Sequence, residues 1–247
     1  MARRFEAEDW SGYRMVFREP HREIEPLENE IAVCDAALGA LVEAGVLPHG
    51  DYDALKFLAH RAAVREKFDI PWTGITPRMQ RLLYAISAIS RPATMVGVGI
   101  FCGNTFISNA GAAIGPGACY EAERLVGIEI EPDEADRARE NVAKVDPDGR
   151  AEIVAADGVD WLADFEGPID LLYLDADGAG GRGKAVYLDL VEASLGAIRP
   201  GTLVLAHNSV NSADRLVGYF DYVRDDANFR ESVNVVIDDQ GLEVSIR

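Results

Sequence analysis

From position 94 onward, apolar residues come in short, nearly unbroken runs separated by stretches with helical spacing. Residues 94–98, 125–130, 152–155, 169–174 and 202–206 read as strands; 105–113, 133–145, 159–163 and 187–198 read as helices. Strands with so little polar alternation are buried on both faces, and their regular exchange with helices predicts a parallel sheet. The pattern changes at the far end, where 232–237, a turn at 238–241 and 242–246 read as an antiparallel hairpin. The predicted fold is α/β: a doubly wound, mainly parallel, Rossmann-like sheet of seven strands ending in a reversed strand.

The first seventy residues have a different rhythm. Leu27, Ile31, Val33, Leu38, Leu41, Val42 and Val46 fall at roughly helical spacing until Gly45 and Pro48 break it. Residues 51–67 read as a second helix begun by Asp51 and Asp53. Thr76 then reads as an N-cap and Pro77 as the first residue of a helix running to about Ile89. The chain thus divides into a helical cap at 1–72 and a ligand-binding domain at 73–247. The apolar face of the first helix needs a surface to cover it, which predicts a homodimer.

Composition narrows the partners. The chain has 247 residues, 48% of them hydrophobic, enough for one large domain with a real core. Lys and Arg number 24 against 42 Asp and Glu, a net charge of −18 that repels a phosphate backbone, so no nucleic-acid partner is expected. No apolar run is long enough to span a membrane, and Met1 to Phe5 lead into acidic residues rather than a secretory core. Three cysteines without paired or metal-type spacing fit a cytoplasmic setting.

The chemistry starts at Gly97-Val98-Gly99-Ile100-Phe101-Cys102-Gly103, which ends a predicted strand and opens a helix through Asn104 and Thr105. Glycines there let the backbone turn sharply and approach a ligand. No Gly-Lys-Ser/Thr follows, which disfavours a P-loop, and the spacing differs from the dinucleotide fingerprint of a dehydrogenase. The next strand ends at Glu129-Ile130, where a carboxylate can accept both hydroxyls of a ribose; the competing role is a charge at a helix N-terminus. Asp157-Gly158 ends the strand after that; Asp157 can receive an adenine amino group or cap a helix.

Glycine turn, acid and acid on three successive strand ends, with Leu174-Asp175-Ala176-Asp177 and Arg199-Pro200-Gly201 beyond, resemble the class I S-adenosylmethionine-dependent O-methyltransferases, the catechol and caffeoyl-CoA type and their small bacterial relatives. The resemblance covers about Thr76 to Arg247. It implies that S-adenosylmethionine is the cofactor, that a small phenolic or hydroxylated secondary metabolite is the acceptor, and that Thr76 lies near the active site. It also marks departures. The family turn is Glu-x-Gly-x-x-x-Gly, and Gly97 stands at the position of the Glu that helps hold the cofactor's amino end. In the family an Asp like Asp175 binds a divalent cation together with an Asp-Asn pair; here the pair is His207-Asn208.

The residues leave the reacting end open. Imidazole in place of a carboxylate disfavours Mg²⁺ and suits Mn²⁺, Fe²⁺ or Zn²⁺, so Asp175, His207 and Asn208 are candidate metal ligands. Alternatively no metal binds and His207 is a general base, or His207 only organises the loop through Asp175. The family has a lysine shortly after the acidic motif; here the glycine-rich segment 178–183 displaces Lys184, which reads as a solvated lysine that could assist. Asp177 and Tyr187 join Thr76 as candidate acceptor contacts. Trp72, Tyr187 and Tyr219 could wall the acceptor pocket, though core packing is the first reading of each; His21, His49 and His60 read as surface or cap residues. The competing function is a divergent protein of the same fold that binds the cofactor but performs non-methyl-transfer chemistry or only binds it.

Overall fold

The computed structural model describes residues 3–247. In chain order the elements are β1 (Arg3–Glu6), α1 (Leu27–Glu43), α2 (Ala54–Lys67), α3 (Pro77–Ser90), β2 (Thr94–Val98), α4 (Asn104–Ala110), β3 (Arg124–Glu129), α5 (Pro132–Ala143), β4 (Ala151–Ala155), α6 (Gly158–Ala163), β5 (Ile169–Leu174), α7 (Val186–Ala193), β6 (Ile198–His207), α8 (Val217–Val223), β7 (Glu231–Val236) and β8 (Leu242–Ile246). They build one mixed sheet of order β1-β7-β8-β6-β5-β2-β3-β4. Only β8 runs against its neighbours β6 and β7.

Side-chain alternation assigns the two faces. From β2, Met95 enters the core with α3, α4 and α5, while Val96 and Val98 enter the core with α6, α7 and α8. Strand order reverses direction at β2, between β3 on one side and β5 on the other, and the crevice beyond their carboxyl ends is where open α/β sheets bind ligands.

Local signals worked where the chemistry is local. Asp53 accepts from the Leu55 and Lys56 N–H groups and starts α2; Thr76 accepts from the Met79 N–H and starts α3 with Pro77 behind it. Three features differ from the expectation. The sheet has eight strands, because Arg3–Glu6 adds in parallel to β7, with Arg3 opposite Val233; its mostly exposed, charged residues carry no apolar pattern. The helix expected at 187–198 ends at Ala193, and β6 begins at Ile198 rather than 202. Helix α8 was not expected at all.

The apolar face of α1 does not need a second copy. Leu38 and Leu41 are fully buried, and Val46 nearly so, in the core shared with α3 of the same chain. That removes the reason for expecting a dimer. Among the described residues no helix is long and apolar enough to cross a membrane.

Between β1 and α1 the chain runs across the molecule and is pinned to α3. The buried guanidinium of Arg78 donates to both oxygens of Asp9 (2.7 and 2.9 Å) and of Glu25 (2.7 and 2.6 Å) and lies 3.8 Å from the Tyr13 ring centroid. Planar, forked donors suit this double bidentate arrangement. Burial opposes the charge, and the two carboxylates outweigh it, so Arg78 is held firmly protonated.

Candidate active site

A cavity of about 860 Å³ opens at the carboxyl ends of β2, β3 and β5. Its floor is the glycine turn. Gly99 has φ +79°, and a Cβ there would lie 2.3 Å from the backbone of Ala176, so only glycine lets the β2 and β5 loops touch. Gly103, at φ +87°, starts α4. Phe101 is held at φ +49°, unusual for a residue with a Cβ; its N–H donates to Glu129 Oε2 at 2.6 Å. The Glu131 N–H donates to Oε1 at 3.2 Å, and both oxygens keep capacity to accept from ribose hydroxyls.

Val98, Ile130, Asn104, Thr105, Asp157 and Gly158 also line the cavity. Asp157 caps α6: Oδ1 accepts from the Val159 and Asp160 N–H groups, while Oδ2 makes no hydrogen bond among the described residues. Asn104 donates to Thr73 Oγ1 at 3.1 Å, and the buried Thr105 hydroxyl has no partner among the described residues. Gly97 does not line the cavity. A Cβ on it would meet Ile100 and Phe106 at 3.5 Å, so core side chains fill the space beside the position of the family's acid.

The reacting end is built around Asp175. Its N–H bonds Val98 O, tying β5 to β2. Lys184 Nζ lies 3.1 Å from Asp175 Oδ1 and 2.7 Å from Asp175 O, and His207 Nδ1 lies 3.3 Å from the same Oδ1. Burial works to raise the Asp175 pKa, but Lys184 and His207 hold it below the ordinary carboxylate value. His207 is 3% exposed; it lines the cavity, yet its Nε2 has no hydrogen-bond partner among the described residues. Asn208, at φ +65°, donates through Nδ2 to Gln240 Oε1 (2.6 Å) and Asn211 Oδ1 (3.1 Å).

Asp175, Lys184 and His207 are therefore brought together, and Lys184 is buried rather than solvated. Asp177 sits exposed at the rim, 3.3 Å from Lys184 Nζ. Two predicted acceptor contacts lie outside the cavity lining. Thr76 is fully buried, capping α3 and donating to Asp238 Oδ2 at 2.5 Å. Burial lifts the Asp238 carboxyl above its ordinary pKa despite that bond. Tyr187 is fully buried against Tyr219, with ring centroids 5.9 Å apart.

A divalent cation fits this donor set poorly. Asn208 is turned toward Gln240 and Asn211, and an ammonium stands against Asp175. Among the described residues no group of three or more His, Cys, Asp and Glu side chains is placed to hold a metal ion.

Several lining residues were missed or ranked low from the sequence. Trp72 is half-exposed at the mouth, its ring centroid 4.6 Å from Phe101 and 6.3 Å from Phe17. Its place after Pro71 and before the N-cap Thr76 marks a loop, which could have argued against core packing. Gln240 and Asn211 carry no motif signal. His60, expected as a surface or cap residue, is buried and stacked on Tyr84, and burial pushes its pKa down to about 4.

A methyltransferase-domain family model matches residues 96–209. No curated protein matches the chain. Among solved structures it is similar to an O-methyltransferase from Bacillus cereus in complex with S-adenosylhomocysteine, at 17% identity over 90% of this chain and 100% of that one, TM-score 0.57. It is also similar to a Podospora anserina methyltransferase bound to S-adenosylhomocysteine (16% identity, 92% and 99% covered, TM-score 0.60). A third is the Streptomyces achromogenes O-methyltransferase involved in tomaymycin synthesis, in complex with S-adenosylmethionine (19% identity, 79% and 90% covered, TM-score 0.57). Residues 96–209 thus match a methyltransferase domain, and the chain has the fold of the class I, S-adenosylmethionine-dependent O-methyltransferases.

Proposed function

We propose that the chain methylates a hydroxyl of a small, aromatic or hydroxylated acceptor, with His207 as the general base. The observation that carries this reading is the unpartnered His207 Nε2. Asp175, ionised because Lys184 and His207 lower its pKa, can only accept a hydrogen bond, so it fixes the proton of His207 on Nδ1. Nε2 is then a buried lone pair beside the cavity with no donor among the described residues, and an acceptor hydroxyl would supply one. Bound in the cavity, S-adenosylmethionine supplies a sulfonium methyl that needs no further activation. The protein's tasks are to position the acceptor and take its proton.

Glu129 would receive the ribose hydroxyls, Asp157 Oδ2 the adenine amino group, and Asn104 and Thr105 polar groups deeper in the cavity. Trp72 and Phe101, their rings tilted 36° to each other, offer an apolar wall to an aromatic acceptor. Gly97 favours a second reading, a protein that binds the cofactor without transferring its methyl, because no acid stands there.

The test is a panel of phenols, catechols and hydroxy acids incubated with methyl-labelled S-adenosylmethionine, alongside calorimetric titration of the cofactor. Label should appear on one acceptor class, and His207→Gln should lower kcat by about 10²–10⁴ with cofactor affinity nearly unchanged. Cofactor binding without transfer to any acceptor supports the second reading; full activity in His207→Gln removes the base from His207.

A further inference from the structure

The positions at which the resembling family holds a divalent cation close, in this chain, on a lysine. Lys184 Nζ contacts three oxygens: Asp175 O at 2.7 Å, Asp175 Oδ1 at 3.1 Å and Asp177 Oδ2 at 3.3 Å. Its side chain is only 10% exposed, so this is a desolvated ion pair rather than a surface contact. The glycine-rich insertion delivers it. The Gly178 N–H donates to Gly183 O at 2.9 Å, and Gly180, Gly181 and Gly183 adopt φ of +64°, +80° and +53°, folding the segment into a small closed loop. That loop returns the chain to Asp175 one residue later, at Lys184.

The remaining donors complete the picture. His207 Nδ1 is on the same Asp175 oxygen as the ammonium, and Asn208 is engaged with Gln240 and Asn211. A metal ion on Asp175 Oδ1 would stand beside the ammonium with both charges positive and little water between them. The two cations compete for one carboxylate.

We propose that the Lys184 ammonium is a tethered replacement for the divalent cation, so that the chain works without metal and hides a latent cation site on Asp175 and His207. The ammonium takes the place on Asp175 Oδ1 that a cation would occupy and sets a positive charge near the reacting hydroxyl. Its catalytic half rests on the O-methyl transfer reading; the binding half does not.

The full chain, purified without added metal, is titrated with Mn²⁺ under electron paramagnetic resonance and with Co²⁺ by visible absorbance. Wild type, Lys184→Met, Lys184→Arg and Lys184→Met/Asp175→Asn are compared, with thermal unfolding to check that each is folded; Lys184→Gln replaces the Met variant if that unfolds. Wild type and Lys184→Arg are expected to take up neither ion. The neutral variant should take up about one ion per chain, with the Co²⁺ band of a nitrogen-containing site, and the double variant none. Methyl transfer by wild type should be unchanged by a chelator. Asp175-dependent Mn²⁺ uptake by wild type overturns the proposal, and so does a folded neutral variant that binds neither ion. Both results stand whether or not an acceptor is found, so failure here is separable from failure of the methyl-transfer reading.

Discussion

Two glycines of one turn should answer an added methyl group in opposite directions. At Gly99 the new Cβ would sit 2.3 Å from Cα and N of Ala176 and 2.7 Å from the Asp175 carbonyl carbon, all backbone atoms. Carbon–carbon contact needs about 3.5 Å, so the β2 and β5 loops must part by roughly 1 Å. The φ of +79° costs a residue with a Cβ about 1–2 kcal/mol. Relieving the overlap costs about 1–3 kcal/mol more. The sum, about 2–5 kcal/mol, corresponds to a fall in Tm of roughly 4–20 °C for a chain of this size. Cofactor affinity should fall with it, because the displaced loop carries Asp175. At Gly97 the backbone is ordinary strand, and the Cβ would meet Ile100 and Phe106 at 3.5 Å, plain van der Waals contact. Gly97→Ala should leave the fold intact and raise stability by about 0.4–1 kcal/mol, by restricting the unfolded chain. Scanning calorimetry of both variants, with calorimetric titration of S-adenosylhomocysteine, reads both effects. A Gly99→Ala protein that melts with wild type, or a Gly97→Ala protein that melts well below it, would refute the geometry.

Two further outcomes follow from buried charge. Arg78→Met leaves Glu25 and Asp9 without their shared guanidinium; a loss of about 3 kcal/mol is expected, at the low end for a buried pair because Asp9 is largely exposed. Hydrogen exchange should quicken over residues 7–26, and unchanged exchange there would count against the clamp. His60 is held neutral by burial, its pKa depressed from about 6.5 to about 4. The unfolded chain therefore binds the extra proton first, so this contribution is intact above pH 6.5 and is lost as pH falls toward 4, about 3 kcal/mol in all. Urea unfolding at a series of pH values should show a shallower acid slope in His60→Gln; an identical slope would place the acid sensitivity elsewhere.

The central strands, the hairpin and the helix starts were legible because each depends on neighbours in sequence: apolar runs, Thr76-Pro77 and Asp53 state their roles locally. Strand β1 was not legible, because Arg3–Glu6 is chosen by the free edge of β7 rather than by its own pattern. The same limit applied to side chains. Glu129 and Asp157 stood at predictable strand ends. Lys184 looked solvated because nothing in the segment 178–183 says that the loop closes on itself and brings the lysine back. His60 looked like a surface or cap residue because its burial is decided by Gly111 and Gly117, at either of which a Cβ would overlap it. Trp72 erred the other way: aromatic bulk argued for core, while its place on a loop left one face at the cavity mouth.

The pairing of β1 with β7 sets an order on construction. The cofactor floor draws on β2, β3 and β4 with the helices between them, segments made one after another. The aromatic mouth is different. Phe17 belongs to the stretch pinned by Asp9, Tyr13 and Glu25, and that stretch also rests on β7 and on the turn behind it: the Ala7 N–H bonds Val236 O, and the Asp239 N–H bonds Tyr13 O. During synthesis residues 3–7 must therefore wait for β7, a strand made more than 200 residues later, before they can pair. An emerging chain can complete its nucleoside-binding floor before it has a mouth, so the acceptor side is the last part of the site to be built and should be the first to come apart.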